Sequence, residues 1–205
     1  TTIKNFFKKN IMFLKIQNKL NRIIDKIYTF LICKSFKKFG KNSVICFPCK
    51  INNPINIEIG DNVTICKNVW LNAGVKKRED NQPTLNIKDG SHISSHTHIN
   101  AFSEVTIEKN VLIGEGVYFG DTIHATDNYN LPIIKQEYIF QGKVIIGEGS
   151  HLCRYSTISS ECVVGKNVII CPNSFVVQKE IPSYSMAIGN PASLIEDYNK
   201  KNDKS

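Results

Sequence analysis

From about residue 55 onward, the apolar positions of the chain recur every sixth residue. Ile146, Leu152, Ile158, Val164, Ile170 and Val176 hold this register without a slip, and four positions after each of the first five stand Ser150, Ser156, Cys162, Val168 and Ser174, all small. The same grammar governs Ile59, Ile65 and Leu71 with Val63 and Val69, then Ile87, Ile93 and Ile99 with Ser91 and Thr97, then Ile107, Ile113 and Phe119 with Val111 and Val117. A period of six is neither the 3.6 of a helix nor the two of a long strand, because alternation breaks once in every unit. Each hexad therefore predicts a short strand followed by a corner. Three sides close a triangular coil, and the fifteen hexads make about five coils, each burying the edge of its neighbour. Gly60, Gly114, Gly147 and Gly165, directly after the aliphatic position, are expected to serve tight corners.

The start of the chain has a different period. Over residues 3–39, Phe6, Phe7, Ile11, Phe13, Leu14, Leu20, Ile23, Ile24, Ile27, Phe30 and Leu31 fall at spacings of one or two amphipathic helices, and Gly40 is a plausible stop. Two segments interrupt the hexads: a short polar one at 73–84 and a long one at about 120–143, of the kind that usually carries function. From residue 181 the run IPSYSMAIGNPASLI breaks the period and is expected to cap the open end. The expected organisation is thus an α-helical arm (1–40), a β-domain with its cap (41–197) and a polar tail (198–205).

Charge sharpens this division. Residues 1–40 carry ten basic groups and one acid, Asp25, whereas residues 41–205 carry 16 basic and 17 acidic groups. The net charge of +8 therefore belongs to the arm, and the body lacks the clustered cationic face that phosphate-backbone binding needs; no nucleic acid is expected. The basic arm suits either an anionic membrane surface or packing on the domain end with its lysines solvated. No apolar run approaches the length of a spanning helix, and no signal-type h-region is present, so the expected location is cytoplasmic, with peripheral contact at the inner face of the membrane. The seven cysteines form an odd set without disulfide spacing, and Cys46-Phe47-Pro48-Cys49 has no second pair to complete a zinc site.

The hexads, the long loop and the closing AIGNPASLI resemble the hexapeptide-repeat acyltransferases. That resemblance implies an all-β left-handed parallel β-helix, a homotrimer, and acetyl-CoA bound between subunits. The left hand comes from the family alone, since the usual crossover preference is right-handed. The basic N-terminus with IEIGDNV, IGEGVYFGDTIH and KVIIGEG is most similar to the branch that O-acetylates sugars of surface polysaccharides. In that branch the loop reads Asp-x-Asn-His; here Asp121-Thr122-Ile123-His124 stands at the same place, which makes His124 the match of the catalytic base, with Ile in place of Asn. Where the family has Trp-Ile-Gly, this chain has His151-Leu152-Cys153, so His151 is expected near the acceptor; Asn100, which follows Ile99 on the face leading towards the loop, is the other expected acceptor-binding residue, with a corner-satisfying side chain as its alternative.

The chemistry agrees with these positions. A sugar hydroxyl is barely ionised near neutral pH and needs a base to attack a thioester, and imidazole, with an ordinary pKa near 6.5, is largely neutral there. Asp121, three residues before His124, is expected to orient the ring or stabilise its cation, a task a backbone carbonyl can also perform. By analogy the donor groove runs along the last coils, near Gly165, Lys166, Cys171, Lys179, Gly189, Asn190, Pro191 and Ala192. Cys153 and Cys171, one coil apart, are read as structural rather than as covalent nucleophiles. His92, His96 and His98 are spaced poorly for a metal, none is expected, and the three are read as surface or acceptor-cleft residues. The leading expectation is a direct acetyl transfer to a sugar hydroxyl. The rivals are an N-acetyltransferase of a nucleotide-linked amino sugar and an inactive β-helix that acts as a scaffold.

Overall fold

The computed structural model of the protein describes residues 2–74 and 82–195, with side chains from residue 11 onward. Short parallel strands stack into three sheets of 7, 8 and 6 strands, and successive strands pass from one sheet to the next. The result is a three-sided parallel β-helix. Its first coil comprises Lys38–Phe39, Val44–Ile45 and Lys50–Asn52. The 6-stranded sheet holds one strand from each complete coil, so the described residues make six coils and begin a seventh, rather than about five. The additional coil starts at Phe39, Ile45 and Ile51, which are themselves six residues apart.

The hexad aliphatics stack in register up each wall. On the first face Phe39, Ile59, Ile87, Ile107, Ile146, Val164 and Ile181 are aligned neighbours. The second face aligns Ile45, Ile65, Ile93, Ile113, Leu152, Ile170 and Ala187. The third aligns Ile51, Leu71, Ile99, Phe119, Ile158 and Val176. Nearly all of these are sealed from solvent and fill the interior. Side-chain alternation then turns the residue just before each of them outward, which fixes what every face shows to its surroundings.

The corners differ from the expectation. Gly60 and Gly114 have ordinary φ; they are small because the next coil passes close by, so that a Cβ would lie 2.5 Å from Asp89 Oδ1 or 2.8 Å from the Arg154 nitrogen. The left-handed turn falls later, on Asn42, Asn62, Asn110 and Asn167 (φ 50–59°), where asparagine tolerates that conformation, and on Gly90, Gly116 and Gly149 (φ 67–72°). Beside them runs an alternating column of Ser43, Val63, Ser91, Val111, Ser150, Val168 and Ser185. Ser43, Ser91 and Ser150 each accept the N–H of the valine in the next coil (3.0–3.2 Å) and donate to a carbonyl of that same coil (2.6–2.9 Å). Serine thus clips one coil to the next, and valine fills the space between clips.

One helix, α1 (Thr2–Ile32), precedes the coils, and no helix among the described residues is long and apolar enough to cross a membrane. Its C-terminal end covers the exposed edge of the first coil. Thr29 Oγ1 accepts the Ile45 N–H at 2.9 Å, and Asp25 Oδ1 accepts the Phe47 N–H at 2.9 Å. The arm's only acid is therefore spent on a backbone donor that would otherwise template another strand. At the other end, Met186–Gly189 and Ala192–Ile195 form an antiparallel hairpin on the second face that caps the stack. Residues 75–81, within the short polar segment, and the tail from residue 196 lie outside the described residues.

Candidate active site

The long interruption leaves the third face directly after Gly120, as an antiparallel pair of Thr122–His124 and Tyr138–Phe140. Its root is fixed by Asp121, which is fully buried. The carboxylate accepts the N–H groups of Phe102 (2.9 Å), Ser103 (2.7 Å) and Glu104 (2.6 Å) and the Thr122 hydroxyl (2.7 Å). These donors tie the hairpin to the corner of the preceding coil. The expected contact between Asp121 and the His124 ring is not what the structure shows: in extended chain, residues three apart point to opposite sides, and Asp121 points inward.

The ring is instead held from across the hairpin. His124 Nδ1 lies 3.4 Å from the Gln136 carbonyl, and the ring packs on Tyr138 with centroids 4.1 Å apart. A carbonyl only accepts, so Nδ1 is the donor in this contact, and the tautomer it selects for a neutral ring has its lone pair on Nε2. Gln136 also braces the loop, because its side-chain amide donates to the carbonyls of Asn128 and Leu131, each at 3.0 Å.

His124 opens on a cavity of about 400 Å³ lined by Trp70, Asn72, His98, Asn100, Phe102, Tyr118 and Tyr138 among others. Two outward columns of the third face build its wall. In one, Lys50, Trp70, His98 and Tyr118 are aligned: the Lys50 ammonium sits 3.6 Å over the indole, the indole stacks on His98 at 4.0 Å, and His98 meets Tyr118 edge-on at 5.4 Å. In the other, Asn52 donates to Asn72 and Asn72 to Asn100, while Asn100 donates to the Tyr118 hydroxyl at 3.2 Å. His98 Nε2 joins the two columns at 2.9 Å from Asn100 Oδ1. Burial holds the His98 pKa below its ordinary value, which favours the neutral ring within this stack.

Of the two residues expected at the acceptor, Asn100 shares the His124 cavity and His151 does not. His151 stands on the second face, lining a separate cavity of about 580 Å³ with Cys66, Ser94, Cys153 and Arg154, and burial lowers its pKa. The eight residues expected along the donor groove are also divided. Lys166 follows the first-face strand and pairs with Glu148 (3.5 Å), while Lys179 precedes the next first-face strand and pairs with Glu161 (2.7 Å). Gly165 admits the backbone of Ser183. Cys171 instead joins the terminal hairpin through its N–H to the Ala187 carbonyl (2.8 Å), and Gly189 at the Gly189-Asn190-Pro191-Ala192 turn donates to Ser174 (3.1 Å).

The thiols are poor nucleophiles. Burial raises the pKa of Cys153 and Cys171, and it pushes Cys46 to about 12 and Cys49 to about 11, so the CxxC thiols stay protonated. His92 and His96 lie apart from His98, near Cys66 and Glu115 respectively. Of Trp70, His98, Tyr118, Tyr138 and Gln136, only His98 is named from the sequence, as a surface or acceptor-cleft residue. The first three carry a readable signal, since each immediately precedes an inward hexad residue of the third face.

No family model and no curated protein matches the chain by sequence. Solved structures do match its fold. AntD, an N-acyltransferase from Bacillus cereus in complex with dTDP and 3-hydroxybutyryl-CoA, superposes with a TM-score of 0.67 at 22% identity, over 86% of this chain and 91% of that one. The hexapeptide-repeat acetyltransferase VCA0836 from Vibrio cholerae, complexed with acetyl-CoA, gives 0.55 at 21% identity, over 89% and 82%. The fold is accordingly the left-handed parallel β-helix of hexapeptide-repeat transferases, as the hexads and the resemblance implied.

Proposed function

We propose that the protein is an acetyl-CoA-dependent O-acetyltransferase acting on a sugar hydroxyl of a surface polysaccharide or its precursor, with His124 as general base. The observation that carries this reading is the His124 ring, held at Nδ1 by the Gln136 carbonyl on the edge of a cavity walled by aromatic and amide side chains. Such a wall suits a pyranose, which offers apolar C–H faces to rings and hydroxyls to amides. Nε2 takes the hydroxyl proton as oxygen attacks the thioester carbonyl, and the imidazolium returns it to the departing CoA sulfur. Burial raises the pKa of Cys153 and Cys171, which disfavours the thiolate that a covalent acyl-enzyme on either would need.

The donor is assigned to the junction of the second and third faces, where Cys171, Ser174 and the terminal hairpin turn meet. Asp121 acts as a positioning residue by anchoring the hairpin root. The separation of the two cavities within one chain favours a trimer, in which the third face of one copy lies beside the His151 face of the next.

A second reading has its own support: AntD, whose fold this chain shares, is an N-acyltransferase and has been solved with dTDP-4-amino-4,6-dideoxyglucose and CoA. An amine needs less help from a base than a hydroxyl does. Thiol release from acetyl-CoA with hydroxyl-only sugar nucleotides, against amino-sugar nucleotides, separates the two. An alkali-labile product from the former supports the O-acetyl reading, an alkali-resistant product from the latter supports the N-acetyl reading, and no release with either overturns both.

A further inference from the structure

The helix α1 (Thr2–Ile32) leaves a row of large apolar side chains uncovered. Phe13, Ile16, Leu20, Ile23, Ile27 and Phe30 are each between 46% and 74% exposed, far beyond what the β-helix needs to cover its first coil. Their spacing is three, four, three, four, three, which is the a and d pattern of a heptad repeat and repeats every 3.5 residues without a break. We propose that this row is the seam of a parallel three-stranded coiled coil formed by the arms of three copies of this chain.

The docking of the helix on its own β-helix supports this occupant. With Phe13 at position a, the side chains that turn towards the first coil are Asp25, Tyr28, Thr29 and Ile32, at positions f, b, c and f. These are the outer positions of a coiled coil, so the body grips the back of the helix and presents the seam away from itself. Isoleucine at both a and d, in Ile27, Ile16 and Ile23, favours three strands over two. At the flanks, Lys19 and Lys26 occupy g, and in a parallel assembly they meet Ile24 and Leu31 at e of the next helix, so their stems cover apolar surface and no like charges are opposed across the seam.

A lipid surface is the competing occupant, and salt separates the two. Lys15, Lys19, Arg22 and Lys26 give every arm a cationic flank, so salt screens repulsion between copies and favours the coil, whereas it weakens attachment to anionic lipid. The inference extends the trimeric part of the proposed reading and is independent of the chemistry at His124.

The test places the photo-crosslinker p-benzoylphenylalanine at Phe13 or Phe30 of the full chain, and at Asn18, an outer position, as the control. Irradiation without lipid is expected to give chain-to-chain adducts up to the trimer from positions 13 and 30, undiminished by high salt. Adducts from position 18 should be few, and Ile23→Asp should abolish those from position 13 while the circular dichroism of the β-helix is retained. Absence of chain-to-chain adducts from position 13, or equal yields from 13 and 18, would overturn the proposal. So would adducts that go to vesicles of equimolar phosphatidylcholine and phosphatidylglycerol, when these are added, and fall with salt. None of these readouts requires transferase activity, so an inactive protein that still crosslinks would refute the reading of His124 and leave the coiled coil standing.

Discussion

The first and third faces of the β-helix are built alike on the inside and differ on the outside. Both stack aliphatic side chains in unbroken register, and a reader given only the inward residues could not tell one wall from the other. Outward, the first face shows Lys38, Glu58, Asn86, Thr106, Ile145, Val163 and Glu180, with ion pairs such as Lys88–Glu108 (2.6 Å) along its edge. The third shows Lys50, Trp70, His98 and Tyr118, stacked ring on ring beneath the hairpin that carries His124. The repeat thus separates two duties: inward positions are constrained by the core, and outward positions are free to carry chemistry on any wall.

The contrast can be broken at several points. The largest effect is expected from His124→Ala, which should reduce turnover by about 10²- to 10⁴-fold. Its melting temperature should match wild type, because the ring is outside the core; steady-state thiol release and thermal unfolding check the pair. Next, Ile87→Ala on the first face and Ile99→Ala on the third should each cost about 2–5 kcal/mol of stability by leaving a cavity. Near-equal losses in denaturant titrations would support the equivalence of the two interiors, and a one-sided loss would end it.

Smaller effects should sharpen the outward difference. Trp70→Ala is expected to raise the acceptor KM about tenfold, or about 1.4 kcal/mol, with the donor KM little changed. The first-face replacement Asn86→Ala should leave both constants as they were. The smallest effect concerns pH. Burial puts the His98 pKa below the ordinary 6.5, so the unfolded chain binds more protons below that value and stability falls as pH drops from about 7 towards 5. His98→Gln should flatten this part of the melting-temperature profile, and an unchanged slope would show that His98 contributes nothing to it.

The fold was legible in the sequence because its restraint is local and repeated. Every inward residue from Ile59 to Val176 reports its own place; the start of the seventh coil at Ile181 and Ala187 escaped because the spacing changes there, and the first coil escaped although Phe39, Ile45 and Ile51 follow the same rule with Ser43 and Cys49 as their small partners. The corners were assigned to the first glycine when the left-handed turn belongs to the residue two on, asparagine after Gly60 and Gly165 and a second glycine after Gly114 and Gly147, since the sequence does not show how closely the next coil passes. At the site, His124 could be singled out from its place after a hexad and from the resemblance. Its partner could not, because a backbone carbonyl has no side-chain identity and Gln136 lies 12 residues away across a hairpin. Asp121 was read as a partner of the ring on proximity in sequence alone. The donor residues were gathered from the last coils, and the three-sided winding distributes neighbours in sequence among different walls.

The central claim is that the third face and its hairpin belong to an enzyme that takes acetyl from CoA. A calorimetric titration of the purified protein with acetyl-CoA, beside free CoA, tests it most directly. Saturable binding at one site per chain is expected, retained in His124→Ala, because the ring moves a proton during transfer and is not among the residues assigned to hold the donor. No heat of binding to the folded protein would contradict it and leave the β-helix as a scaffold.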